Sequence, residues 1–132
     1  MIHRDLLKEM NGFNEEFPVC EDYDLWLKIA ARYHVGFVAE PLLNKYGGHL
    51  DQLSMRFRGM DYFRAKALVP FLEAVEISAE EQAHVAKTLL QKCEILLDGF
   101  VKHANIENLE EVSGWKAKAL ARLGALHPEQ NC

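Results

Sequence analysis

The sequence predicts a mainly α-helical fold: a helical domain with one small β-hairpin-like element and a C-terminal helical hairpin. Three observations carry that expectation. Apolar residues recur at helical spacing through most of the chain. Ser78 and Glu81 form an S-x-x-E capping pattern in front of the longest such stripe. Only one short run, residues 35–47, is β-prone. The 132 residues are 49% hydrophobic and 27% charged, which suits one ordinary domain, or one domain with a helical extension, burying roughly two-thirds of its unfolded surface.

The elements follow in order. His3 to Met10 reads as a short helix with Leu6, Leu7 and Met10 on one face, and Asn11-Gly12 supplies a left-handed stop. Residues 13–20 form a loop holding Pro18. A second helix spans about Glu21 to Tyr33, with Leu25, Trp26, Ile29 and Tyr33 as its apolar stripe. Val35-Gly36-Phe37-Val38-Ala39 and Leu42-Leu43-Asn44-Lys45-Tyr46, parted by Pro41, read as two short strands or a loose hairpin. Such a pair is marginal without a larger sheet. Residues 55–68 and 70–76 are helical with a break at Pro70. Ser78 opens a long helix whose buried face is Val85, Leu89, Cys93, Leu96, Phe100 and Val101. Asn105 or Asn108 caps the last helix, where Leu109, Val112, Trp115, Leu120 and Leu123 pack before Gly124 and Pro128 end it.

Composition excludes several function classes. A net charge of −5 and the lack of a basic stripe argue against a nucleic-acid footprint. Three widely spaced cysteines, Cys20, Cys93 and Cys132, with no leader pattern, fit a reducing cytoplasm better than a disulfide framework. No apolar run approaches the roughly 18 residues of a membrane span. The six histidines lack zinc-site spacing, so no metal site is assigned, with His49 the one possible ligand.

The residues with chemical potential cluster early. Asp22, near the start of the second helix, is expected on the face of Leu25, Trp26 and Ile29, pointing inward. The positive helix end would orient such a carboxylate as a general base. The plainer reading is that Glu21 and Asp22 only complement the helix dipole. Asp22-Tyr23-Asp24 is also a D-x-D, but positions i and i+2 on a helix face opposite ways and cannot chelate one ion. His49 follows Gly47-Gly48, where an unhindered backbone admits a phosphate or a metal; a lone loop histidine is more often only solvated. Lys45 either neutralises a diphosphate or discourages sheet pairing. Trp26 and Trp115 read as core residues, Phe13 and Phe17 as a clamp on the loop, and Cys20 as a packing residue.

Three blocks, Asn11-Gly12-Phe13-Asn14-Glu15-Glu16-Phe17, Cys20-Glu21-Asp22-Tyr23-Asp24-Leu25-Trp26-Leu27-Lys28 and Gly47-Gly48-His49-Leu50-Asp51-Gln52-Leu53-Ser54, together resemble the acceptor-side, C-terminal part of a bacterial family 2 glycosyltransferase. Asn14 departs from the pattern, since an acidic residue is commoner there. The resemblance covers residues 1–55 most strongly, leaving 56–132 as a helical extension that resembles the tail of one bacterial subgroup more loosely. It implies that Asp22 is the catalytic base, Glu21 its motif partner, and His49 a substrate-side residue near the donor diphosphate. Gln52 and Ser54 would close the loop.

The same resemblance implies that the half holding the nucleotide-sugar and the metal-binding D-x-D is absent from the chain. A divalent metal, magnesium or manganese, is then expected only in a complete enzyme, and the chain alone should need no cofactor and transfer no sugar. Three possibilities remain open: a subunit completed by a separately encoded N-terminal half, a non-catalytic binding or scaffold module that keeps the family's C-terminal fold, or a piece of a longer enzyme. Residues 35–50 and the first helix are expected near a homodimer or partner contact.

Overall fold

The computed structural model describes residues 2–44, 46, 59–104 and 106–126. The fold is mainly helical, with five α-helices among the described residues: α1 (Arg4–Glu9), α2 (Glu21–Ala30), α3 (Met60–Leu68), α4 (Ala79–His103) and α5 (Leu109–Leu126). A 3-10 turn, Val69–Leu72, follows α3 directly. The chain forms two compact units, residues 1–60 and 61–132.

In the first unit, His3 caps α1 by accepting the Asp5 N–H on its ring nitrogen at 3.3 Å. Asn11 and Gly12 then stop the helix with φ of 59° and 71°, the left-handed region that asparagine and the Cβ-less glycine adopt most readily. Asn14 shapes the loop: its side-chain oxygen accepts the Glu16 N–H at 3.1 Å and its carbonyl accepts Phe17 N–H, also at 3.1 Å. Asn14 is therefore a turn-former here. Phe17 and Val19 are buried at the loop's end, whereas Phe13 is exposed.

Helix α2 ends at Ala30, three residues before the expected Tyr33. Past it the chain turns back on itself, with Arg32 and Tyr33 N–H groups both reaching the Ile29 carbonyl. The Tyr33 hydroxyl donates to Glu9 at 2.6 Å and ties this turn to α1. That bond raises the Tyr33 pKa.

The β-hairpin-like element is not formed: no strand occurs among the described residues, and 34–44 carry no regular structure. Val35, Phe37, Val38, Leu42, Leu43 and Tyr46 are all exposed, Phe37 at 91%. β-Propensity alone did not suffice, because a strand needs a neighbour to take its backbone hydrogen bonds and a surface to bury its alternate side chains.

The second unit is a helical hairpin with the 3-10 turn against it. Helices α4 and α5 pack along one another, and Val69–Leu72 touches both. Ser78 and Glu81 make the full capping box: Ser78 Oγ accepts Glu81 N–H at 3.2 Å, and Glu81 Oε2 accepts Ser78 N–H at 2.7 Å. The buried face of α4 holds Leu89, Cys93 and Leu96 as expected, with Gln82, Ala83 and Ala86 before them. Val101 is 81% exposed. In α5 the buried positions are Val112, Trp115 and Ala119, while Leu120 is exposed and the helix continues through Gly124 to Leu126. Alanines with no exposed surface, Ala86 and Ala119, allow close approach of the two helices.

Polar contacts fix α3 within this unit. Asp61 accepts hydrogen bonds from Lys92 at 3.0 Å and Arg64 at 3.1 Å. Burial pushes its carboxyl up, but these cations outweigh burial and hold it below its usual range. The Tyr62 ring lies 5.2 Å from that of Trp115, and its hydroxyl donates to Glu111 at 2.6 Å. Burial, reinforced by Glu111, raises Tyr62 to about 12.

Candidate functional site

The candidate site is the opening of α2. Cys20 stands at its N-cap with φ of 62° and ψ of 21°, a left-handed conformation that costs a β-carbon-bearing residue about 1–2 kcal/mol. Its thiol is buried and donates to the Met60 carbonyl at 3.7 Å, so packing compensates the strain and sets the direction in which the helix starts. Cys20 is thus structural, as its sequence context suggested. The first helical bond runs from Asp24 N–H to the Cys20 carbonyl.

Three carboxylates, Glu21, Asp22 and Asp24, occupy the first turn. The side chain that points inward is Asp24, not Asp22. Asp24 is 4% exposed and accepts a 2.6 Å hydrogen bond from Lys28, one turn along and 42% exposed at its side chain. Asp22 is exposed, and its Oδ1 accepts the N–H of the next residue, Tyr23, at 2.7 Å. The expectation that Asp22 shares a buried face with Leu25, Trp26 and Ile29 is corrected. The buried stripe is Asp24, Leu25 and Ile29; at 3.6 residues per turn Asp22 lies about 70° from its centre, at the edge marked by Ile29 and in the open first turn, where it is exposed. Trp26 falls farther out still and is 45% exposed, so it is not the core residue the spacing suggested. Glu21, beside it, is half-buried.

This geometry also bears on metal binding. Asp22 faces solvent while Asp24 is buried against Lys28, so the D-x-D of α2 does not fit one cation. Among the described residues no group of three or more histidines, cysteines or acids could hold a metal ion. Lys45 and His49, with Gln52 and Ser54, lie outside the described residues. The structure therefore brings Glu21 and Asp22 together at one helix end and says nothing of their relation to Lys45 and His49.

Sequence reasoning missed the Asp24–Lys28 pair. Its signal was present, since an acid four residues before a lysine is the favourable helical order. A hydrophobic pattern alone does not reveal it. No helix among the described residues is long and apolar enough to cross a membrane. Comparison with family models, with curated proteins and with solved structures found no match to this chain.

Proposed function

We propose that residues 1–55 are the acceptor-side catalytic segment of a nucleotide-sugar-dependent inverting glycosyltransferase, acting in the cytoplasm. Asp22 is its base and Glu21 the motif partner. The observation that carries this reading is the placement of Asp22: exposed in the first turn of α2, with one oxygen occupied by Tyr23 N–H. Among the described residues the other oxygen has no partner, which leaves it open to the proton of an acceptor hydroxyl. As that proton moves to Asp22, the acceptor oxygen attacks the anomeric carbon and the nucleoside diphosphate departs from the opposite face. His49 and Lys45 belong on the diphosphate side.

Donor binding falls to an N-terminal half of the kind found in such enzymes, and the chain meets that half, or a second copy of itself, through an apolar contact. The exposed apolar segment from Val35 to Tyr46 supports such a contact, because clustered exposed apolar side chains mark interaction surfaces. The same segment favours the alternative of a non-catalytic binding or scaffold module, which needs a partner and no base.

An assay with uridine- and guanosine-diphosphate sugars separates the two. The purified chain alone should release no nucleoside diphosphate. Adding the product of the upstream reading frame, with magnesium or manganese, should restore release. Asp22→Asn in that mixture should cut the rate about 10²–10⁴-fold with an unchanged circular dichroism spectrum. Full activity of Asp22→Asn would remove Asp22 as the base. Stable association without any turnover would leave the scaffold reading.

A further inference from the structure

The second unit contains a cleft to which the α2 chemistry gives no role. It lies between the 3-10 turn and α5, encloses about 370 Å³, and has apolar walls from Val69, Pro70 and Leu72 on one side and Ala121 and Ala125 on the other. That volume suits a small ligand. Three charged side chains also line it: Lys118 and Arg122, one turn apart on α5, and Glu73. Among the described residues, neither cation has a carboxylate partner, and Glu73 pairs with neither.

Arg122 is held by a neutral group instead. Its Nη2 donates to Oε1 of Gln82, a buried residue whose own Nε2 donates to the Ala74 carbonyl at 2.7 Å. The amide fixes the guanidinium without cancelling its charge. Among the described residues Arg122 Nε is also buried with no hydrogen-bond partner, which leaves the outer nitrogens of the group to face the cleft. A buried amide spent on orienting an uncompensated guanidinium at the edge of an apolar cleft is an arrangement suited to a ligand's planar anion.

We propose that this cleft binds a small organic monocarboxylate, its carboxylate on Arg122 with Lys118 beside it and its hydrocarbon body between the 3-10 turn and α5. The chemistry of the lining selects that class. A guanidinium fork matches a carboxylate in two parallel hydrogen bonds. The five apolar wall residues favour a hydrocarbon body over a fully hydrated ion. Glu73 at the same cleft leaves a local charge of one unit, which two cations and one acid give, and so opposes a dianion such as phosphate.

The test is a titration of the full chain, labelled with ¹⁵N, followed by amide shifts. Sodium butyrate is the probe, with butyramide and inorganic phosphate as comparisons. Butyrate should give saturable shifts confined to residues around Val69, Leu72, Ala121, Arg122 and Ala125. Butyramide should give none, and phosphate should bind at least tenfold more weakly. Arg122→Lys, which keeps the charge and loses the fork, should weaken butyrate at least tenfold. Should that variant fail to fold, Ala121→Leu, at an exposed helical position lining the cleft, should abolish the shifts by filling it. The absence of saturable shifts, equal binding of phosphate, or butyrate affinity unchanged in the variant that folds would each overturn the proposal. None of these readouts depends on sugar transfer, so its failure and that of the α2 reading are separable.

Discussion

The two units differ in how the apolar residues of their central elements are covered. In residues 61–132 the large apolar side chains at the helix contacts are withdrawn from water: Leu89 and Val112 are completely buried and Trp115 nearly so. In residues 1–60 the loop before α2 and α2 itself hold a short buried set, yet the segment that follows leaves Phe37, Leu42 and Leu43 largely exposed. A helix satisfies its own backbone and needs only one neighbour for its apolar stripe. A β-prone segment needs a second strand before its side chains can be covered. The helical unit is therefore self-sufficient where the extended segment is not, and the candidate chemistry belongs to the less self-sufficient unit.

A paired substitution puts that contrast under the heaviest load. Leu89→Ala should destabilise the chain by about 2–5 kcal/mol, because the removed methyl groups leave a cavity between α4 and its neighbours. Phe37→Ser should change stability by less than about 0.5 kcal/mol and improve solubility. Urea unfolding of both variants checks this. Equal losses would mean that Phe37 is covered in solution, and the contrast between the units would collapse. If the Phe37 variant instead loses an oligomer while keeping its unfolding free energy, the exposed segment is a contact surface.

Within the first unit, the contrast between two neighbouring carboxylates predicts a smaller effect. Lys28→Met leaves the buried Asp24 carboxylate without its 2.6 Å partner, which should cost about 1–3 kcal/mol. Asp22→Asn, at an exposed position, should stay within about 0.5 kcal/mol. Thermal unfolding of the two variants side by side decides whether α2 is anchored by Asp24. A neutral Lys28→Met would show that water reaches Asp24 and takes the lysine's place.

How much of this was legible in the sequence follows the same division. The capping box at Ser78 and the stripe of Leu89, Cys93 and Leu96 were readable because local chemistry and tertiary burial point the same way there. The Asn11-Gly12 stop was readable for the same reason. The face assignment of α2 failed because Asp24 is charged, and a hydrophobic pattern cannot nominate a carboxylate for burial unless its lysine partner is weighed with it. The strand pairing failed for a different reason: it depends on a partner that residues 35–47 do not themselves specify. The Gln82–Arg122 buttress had no sequence signal, since residues 40 apart meet only once the helical hairpin has closed.

The smallest effect belongs to the element most clearly written in the sequence. Ser78→Ala removes the acceptor for Glu81 N–H at the start of α4 and should cost about 1 kcal/mol. The second half of the box adds a pH signature. The Ser78 backbone N–H, then its hydroxyl, holds the Glu81 carboxyl below its usual range in the folded chain. A depressed folded pKa means that the unfolded chain takes up the proton first as the solution is acidified. The stabilisation from Glu81 is therefore complete above the ordinary glutamate range and is lost as pH falls through the lower folded value. Glu81→Gln should flatten that part of the acid limb of the stability curve, while Asp61, whose carboxyl is also held low by Lys92 and Arg64, continues to contribute to it. Urea midpoints measured from neutral pH into the acid range, for the parent chain and for Glu81→Gln, read the difference directly. Parallel curves would show that the box does not discriminate a carboxylate from an amide, and that only the Ser78 half of it stabilises α4.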